Sequence, residues 1–320
     1  MTWMLLLDAW TLAAPVAWAV DRWWGEPPAR WHPVVGMGRW LNTVGAPWPQ
    51  RPAWQALVGG ALAWWVGAGV CVALAEGLVR LLAGWSSAPD PLWRQALTLV
   101  ALGVLLKPLL AWRMLRDEVE AVEAALTESL PAGRARLARL VSRDTQSLTA
   151  LEVRESALES LSENLNDSWV APLFWFAVAG LPGAALYRFA NTADAMWGYR
   201  GRWEWAGKWA ARADDVLSWV PARLTAGLLA LAHGRWPHGL QRQARQTPSP
   251  NSGWPMAALA LLLNVQLRKP GVYALNPEGQ AASPACVPAA VRLCERAVLW
   301  SLVFMVLLAV LQGLGVRLRP

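Results

Sequence analysis

The chain is predicted to be all-α and polytopic, with about four to six transmembrane helices, re-entrant or broken segments among them, and a helical segment on the cytoplasmic side. Three observations predict this. Of 320 residues, 55% are hydrophobic and only 16% charged, with a mean hydropathy of +0.27, which ordinary soluble domains do not show. Ala297 to Val316 is a run of twenty uncharged residues, with Arg292 and Arg296 before it and Arg317 and Arg319 after it. The chain also holds 24 tryptophans, whose indole rings suit the membrane–water interface because an apolar body carries one N–H donor.

In chain order, Trp3 to Val20 is apolar apart from Asp8. It has no basic n-region and no small-residue cleavage site before Asp21, so a retained helix is expected and not a signal peptide. Leu57 to Ala75 is the second span. Leu92 to Trp112 is the third, with Lys107 and Pro108 near its end, and Ala297 to Val316 is the last. Three further segments stay undecided. Ser168 to Tyr187 is uncharged but holds Pro172, Gly180, Pro182 and Gly183, as a broken or re-entrant helix lining a protein-enclosed cavity would. Val216 to Trp236 contains Pro221 and Arg223, and Gly253 to Leu267 is short for a crossing.

Basic residues set the orientation. The first loop carries Arg22, Arg30, Arg39 and Arg51, and the segment after the third span carries Arg113, Arg116, Arg134, Arg136, Arg139, Arg143 and Arg154. The positive-inside rule then puts the N-terminus outside and both segments in the cytoplasm. One membrane-embedded domain, 1–320, with a cytoplasmic helical insertion at about 113–167, is the expected organisation. Within the insertion, Arg113 to Leu130 alternates acids with Ala, Val and Leu until Pro131 and Gly133 break the run. From Ala150 onward, Leu151, Leu158, Leu161 and Leu165 form a stripe at helical period, with Glu155, Glu159 and Glu163 at i, i+4 and i+8 on a neighbouring face.

The net charge of +7 does not point to nucleic acid, since the arginines are dispersed and lipid explains them. Cys71, Cys286 and Cys294 have neither disulfide-framework nor zinc-site spacing. Gly207-Lys208 is followed by Trp209, so no P-loop is present, and no G-x-S-x-G or H-E-x-x-H occurs.

Three groups of residues carry candidate chemistry. Stacked like charges cost a helix a little unless a cation joins them, so Glu155, Glu159 and Glu163, extended by Asn166 and Asp167, suit Mg²⁺ or an amine. The plainer reading is a solvated acidic face paired with Arg143 or Arg154, and spacing alone favours it. Asn191, Asp194 and Tyr199 stand near Asp214 and Asp215, one of which is expected to cap a helix starting near Val216. Arg212 and Arg223 flank that pair, suited equally to phosphate and to an ion pair with it. The Gly- and Pro-rich loop from Asp21 to Gly38 holds Glu26 and His32 and is able to fold over a ligand, although a lone histidine is more often structural.

Taken together, these pieces resemble the CobD/CbiB family of cobalamin-biosynthesis membrane proteins, the adenosylcobinamide-phosphate synthases. The matching motifs are the Asp21 to Gly38 loop with its His32-Pro33-Val34, Arg143-Asp144-Thr145, Glu159-Ser160 to Glu163-Asn164 with Asp167, and Ala171-Pro172-Leu173-Phe174. They continue through Pro182-Gly183, Asn191-Thr192, Asp194, Gly198-Tyr199, Arg212, Asp214-Asp215-Val216, Pro221-Ala222-Arg223-Leu224-Thr225 and Pro248 to Gly253, in order over residues 21 to 253. The resemblance implies an ATP-dependent ligase that joins adenosylcobyric acid to (R)-1-amino-2-propanol or its O-phosphate.

By the same resemblance, Glu159, Glu163 and Asp194 are candidates to accept the amine's proton, and Glu159, Glu163 and Asp167 to hold Mg²⁺. His32, Arg143, Asp144, Asn164, Asp167, Asn191, Tyr199, Arg212, Asp214, Asp215, Arg223 and Asn251 are candidates to bind substrate or ATP. A bacterial cytoplasmic membrane, lipid as a partner and no nucleic acid follow as expectations, with a homo-oligomer left open. Three positions depart from the pattern: Ser168 stands where the family usually has Gly, Met256 where it has Glu, and Arg268-Lys269 near a usual Gly-Gly. Alternatives of other classes are a corrinoid-binding or transport protein and a non-catalytic AmpE-like sensor.

Overall fold

The computed structural model describes residues 10–85 and 91–317. Its helices are α1 (Ala13–Trp24), α2 (Pro33–Gly45), α3 (Ala53–Trp85), α4 (Leu92–Leu106), α5 (Trp112–Glu128), α6 (Leu130–Leu137), α7 (Ala150–Leu165), α8 (Ala171–Trp197), α9 (Lys208–Leu217), α10 (Trp219–His233), α11 (Leu240–Ala244), α12 (Gly253–Leu262) and α13 (Cys286–Arg317). A short antiparallel hairpin, β1 (Leu267–Lys269) and β2 (Tyr273–Leu275), precedes α13 and departs from an all-helical chain. Four helical stretches among the described residues are long and apolar enough to cross a membrane: Ala53–Trp85, Leu92–Glu128, Ala150–Trp197 and Cys286–Gln312. Counting α9 with α10 as one makes five. The expected spans at 57–75 and 92–112 each fall within one of these stretches, and the expected span at 297–316 overlaps the last of them over 297–312. The part of the expected first span before Trp10 lies outside the described residues. In Ala150–Trp197 the charges belong to α7, Asp167, Arg188 and Asp194, and the uncharged run 168–187 between them is the part suited to hydrocarbon.

The chain divides into two compact units. One comprises residues up to 111, 171–217 and those from 302 onward; the other comprises 112–170 and 218–301. The expected insertion at 113–167 is therefore part of a larger unit that also takes in α10 to β2.

In the first unit α3 packs along α8, and α1 along α4. Gly67 makes the α3–α8 approach possible, because a Cβ there would strike Phe189 and Trp40. The break expected from Gly180 and Pro182 is present. Ala179 and Gly180 leave helical geometry, Gly180 at φ 64°, and the Trp10 ring fills the space a side chain at 180 would need. Pro182 cannot donate the hydrogen bond that would carry the helix across.

In the second unit α5 packs on α6 and α7, burying Leu115, Val119 and Val122. The break expected at Pro131 and Gly133 is present, between α5 and α6. Chain direction changes at Ser129, whose Oγ accepts from Ala132 N at 3.2 Å, and Pro131 then stands in the first turn of α6, where its missing N–H costs nothing. A capping box starts α7: Thr149 Oγ1 accepts from Glu152 N at 3.3 Å, and Glu152 Oε2 accepts from Thr149 N at 2.7 Å. Leu158, Leu161 and Leu165 of the expected stripe are fully buried, while Leu151 is half-buried. A π-helical turn, Asn166–Val170, follows α7. The hairpin lies on α7 through β1, and α12 packs against α7, α10 and α11.

Candidate active site

The second unit carries the denser cluster. Glu155, Glu159 and Glu163 do stack along α7, but they are not a solvated face. Glu155 is 0% exposed and Glu159 is 5% exposed, with Glu163 half-buried beside them. Burial of carboxylates at this depth requires cations and donors, and two come from elsewhere in the chain. Arg268 of β1 reaches Glu155 Oε1 with Nη2 at 3.1 Å. Arg143, in the loop before α7, places Nη2 3.3 Å from Glu159 Oε2 and also donates to Ser156 Oγ. Arg154 does not join them; its guanidinium makes a two-pronged pair with Glu123 at 2.7 and 2.8 Å.

Glu159 is held asymmetrically. Oε2 faces Arg143, while Oε1 is buried without a hydrogen-bond partner. Tyr273 of β2 lies near enough to pull the pKa of this group down, and its hydroxyl also contacts Met256 Sδ at 3.9 Å. Burial pushes the Glu159 carboxyl up to about 7 against the opposing pull of Tyr273, Arg143 and Lys269. Burial likewise raises Glu155 in spite of Arg268, and raises the Tyr273 hydroxyl, with Glu159 and Glu163 adding to the effect. A carboxylic acid poised near neutrality can take a proton from a substrate and return it.

Below the acidic row, Asn164 Nδ2 donates to Ser160 O at 2.9 Å. Asn166, in the π-helical turn, donates to Asp167 Oδ1 at 2.8 Å and accepts from Thr225 Oγ1 at 3.0 Å. Arg223 of α10 is sandwiched between the Trp219 and Trp254 rings, 4.3 and 4.7 Å from their centroids. Its Nη1 donates to Asn251 Oδ1 at 3.0 Å and its Nη2 to Pro250 O at 3.2 Å. Arg223 thus fastens the 248–253 loop, in which Ser249 Oγ also accepts from the backbone of Asn251 and Ser252. Asp144 is exposed and closes a local turn by accepting from Gln146 N at 2.9 Å.

The first unit gathers the remaining candidates. Asn191 Nδ2 donates to Asp214 Oδ1 at 3.4 Å, and Arg212 Nη1 lies 3.4 Å from Asp215 Oδ2. Both aspartates lie inside α9, so neither caps a helix starting at Val216; helix geometry resumes after Ser218 instead. Asp194 packs under Gly198, which has no room for a side chain, and Tyr199 is half exposed. His32 has both ring nitrogens engaged: Nδ1 accepts from Val34 N at 3.2 Å as the N-cap of α2, and Nε2 meets Glu26 Oε2 at 3.0 Å. Glu26 continues to the buried Lys107 at 2.7 Å, and Lys107 to Asp21 at 3.1 Å.

Sequence reading missed Ser156, Lys107, Tyr273 and the cationic roles of Arg268 and Lys269. Tyr273 is one of only three tyrosines in the chain, and a lysine inside an apolar span was the available signal for Lys107. Among the described residues no three His, Cys, Asp or Glu side chains gather as metal ligands, so a Mg²⁺ here would draw most of its ligands from water and phosphate.

The CobD/Cbib protein family model matches residues 14–298. A probable cobalamin biosynthesis protein CobD from Methanothermobacter thermautotrophicus is 40% identical, the match covering 79% of this chain and 82% of the relative. CobD of Chromobacterium violaceum is 42% identical over 80% of each chain, and CobD of Rhodobacter capsulatus 37% identical over 94% of this chain and 98% of its own. No solved structure matches. With motifs, family model and relatives agreeing over most of its length, the chain belongs to the CobD/CbiB family of cobalamin-biosynthesis proteins.

Proposed function

We propose that this protein is a ligase of a bacterial cytoplasmic membrane that joins adenosylcobyric acid to (R)-1-amino-2-propanol or its O-phosphate through an amide bond, with cleavage of ATP. The observation that carries the reading is Glu159: a carboxyl 5% exposed, poised at about 7, with one oxygen on Arg143 and the other buried and unmet. An amine attacks a carbonyl only after losing a proton from its ammonium form. Oε1 of Glu159 is the natural acceptor, because a buried acceptor without a donor is costly until a substrate N–H meets it.

Arg143 keeps the acceptor oriented by holding Oε2. The Tyr273 hydroxyl is close enough to turn from Met256 to Glu159 as charge develops there. Arg223, with its planar guanidinium fixed by two tryptophans, holds Asn251 and its loop in place, so that positioning supplies much of the catalysis. When bound, ATP with Mg²⁺ would supply the leaving group that a free carboxylate lacks, and Glu163 with Asp167 can contribute one or two carboxylates to an ion brought in on phosphate.

The test is to incubate the purified protein in detergent with adenosylcobyric acid, ATP, Mg²⁺ and each amine separately, and to follow the amide by mass spectrometry. Product with one of the amines is the expected outcome. Absence of product with both, from folded protein, would sink the ligase reading.

A further inference from the structure

The helix α10 and the segment after it combine two surface features that the amide chemistry does not use. Between Val216 and Pro277 the chain contains no aspartate or glutamate, whereas its basic residues include Arg235, Arg242 and Arg245, all exposed. Exposed His233 and His238 lie in the same stretch, as does Trp236, which is 60% exposed. Arg235 makes one long contact, 3.5 Å to Leu261 O.

The second feature is apolar. α10 buries Ala222, Thr225, Ala226, Leu229 and Ala230, the face it turns to α12, but leaves Val220, Leu224 and Leu231 exposed. Positions 220, 224 and 231 recur at four and seven residues, so they fall on one stripe of the helix. An apolar stripe that runs into an acid-free basic segment with an exposed tryptophan at the junction is the pattern of a helix lying at a membrane surface.

We propose that α10 and residues 233–245 form a docking surface for acidic phospholipid, with the Val220–Leu224–Leu231 stripe among acyl chains and Arg235, Arg242 and Arg245 on the phosphate headgroups. Charge complementarity selects the occupant. The absence of any acid over the whole stretch would repel nothing anionic, and a soluble phosphate has no use for the apolar stripe beside the arginines. A second copy of the chain would present the same positive charge and be repelled. The proposal holds whether or not the protein forms an amide.

The full-length protein is reconstituted in nanodiscs of equal parts phosphatidylglycerol and phosphatidylcholine, and the lipids it retains on release are counted by native mass spectrometry. Wild type is expected to retain phosphatidylglycerol several-fold over the bulk ratio. The exposed-residue variant Arg235→Gln/Arg242→Gln/Arg245→Gln is expected to return to the bulk ratio, and Leu224→Gln/Leu231→Gln to retain less of both lipids. Retention at the bulk ratio by wild type, or unchanged enrichment in the triple arginine variant, overturns the proposal. So does displacement of the enriched lipid by inorganic phosphate, which would identify a soluble-anion site, or a detergent-stable dimer that dissociates in the leucine variant.

Discussion

Arg143 and Glu159, sixteen residues apart in sequence, meet at 3.3 Å between Nη2 and Oε2, and the carboxylate's second oxygen is left buried without a hydrogen-bond partner. A charge pair engaged on one side only has a clear electrostatic consequence. Removing the guanidinium removes a cation that stabilises the ionised acid, so Arg143→Met should raise Glu159 further above about 7. The acidic limb of the pH–rate profile for amide formation should then move to higher pH. A profile that keeps its position while the rate falls would mean that Arg143 serves binding and not the state of Glu159.

The same carboxyl makes folding depend on pH, with a definite sign. Its ordinary value is 4.5 and its folded value about 7. Below 4.5 both forms of the chain hold the proton and the contribution to stability is fully present. As pH rises from there to about 7, the unfolded chain releases its proton first and stability falls; above about 7 the loss is complete. Glu159→Gln should abolish turnover and flatten this decline, which thermal unfolding in detergent from about pH 4 to about pH 8 will measure. An equally steep decline in the variant assigns the effect to another group.

Glu155 and Arg268 provide a test of structure separate from chemistry. Glu155 is wholly buried, and Arg268, which is 39% exposed on its side chain, ties the hairpin to α7 through it. Arg268→Ala should cost about 2 kcal/mol, less than the loss of a fully buried partner because water reaches the arginine. Adding Glu155→Gln should restore most of that loss, since the uncompensated charge is then gone. Denaturant or thermal unfolding of the two variants checks the pair, and additive losses would exclude the coupling.

Much of this architecture was legible in the sequence because hydrocarbon imposes simple rules. Uncharged length located the spans at 57–75, 92–112 and 297–316, and Gly180 with Pro182 located the break in α8. The site was harder to read. Spacing placed Glu155, Glu159 and Glu163 on one face but could not say whether that face met water, since burial depends on what packs against it. The covering residues, Arg268, Lys269 and Tyr273, lie more than a hundred positions away on a hairpin too short to show a period. The Asp214-Asp215 pair misled for a local reason. Aspartate marks a helix start or stands in its interior according to where the neighbouring turn begins, and only the folded backbone decides that.

Arg223 was legible as an arginine in an apolar run, but its partner was not. Its planar group stacks between two indoles and donates in the fork to Asn251 and Pro250, so charge alone will not replace it. Arg223→Lys should loosen the 248–253 loop and lower kcat at least tenfold, while costing only about 1 kcal/mol of stability, because the residue is part-exposed. Hydrogen–deuterium exchange should rise over that loop and stay unchanged in α7. Exchange that rises throughout the second unit would show a structural role only.

Lys107 is the least expected of the charged residues, for it is 2% exposed and stands at the end of an apolar span. It pairs with Asp21 at 3.1 Å and with Glu26 at 2.7 Å, and Glu26 passes the connection to His32. His32 Nδ1 accepts from the Val34 amide, so this nitrogen carries no proton and the contact with Glu26 is donated by Nε2. The network thus fixes the loop before α2 through one lysine shared by two acids. Lys107→Met should cost about 3–5 kcal/mol, because two carboxylates lose their common cation in a buried setting. Lys107→Met with Glu26→Gln should recover part of that loss, whereas Lys107→Met with His32→Gln should not, since the excess negative charge remains. Thermal unfolding of the three variants in detergent separates these outcomes, and a loss under about 1 kcal/mol for Lys107→Met would show that the acids are satisfied without it.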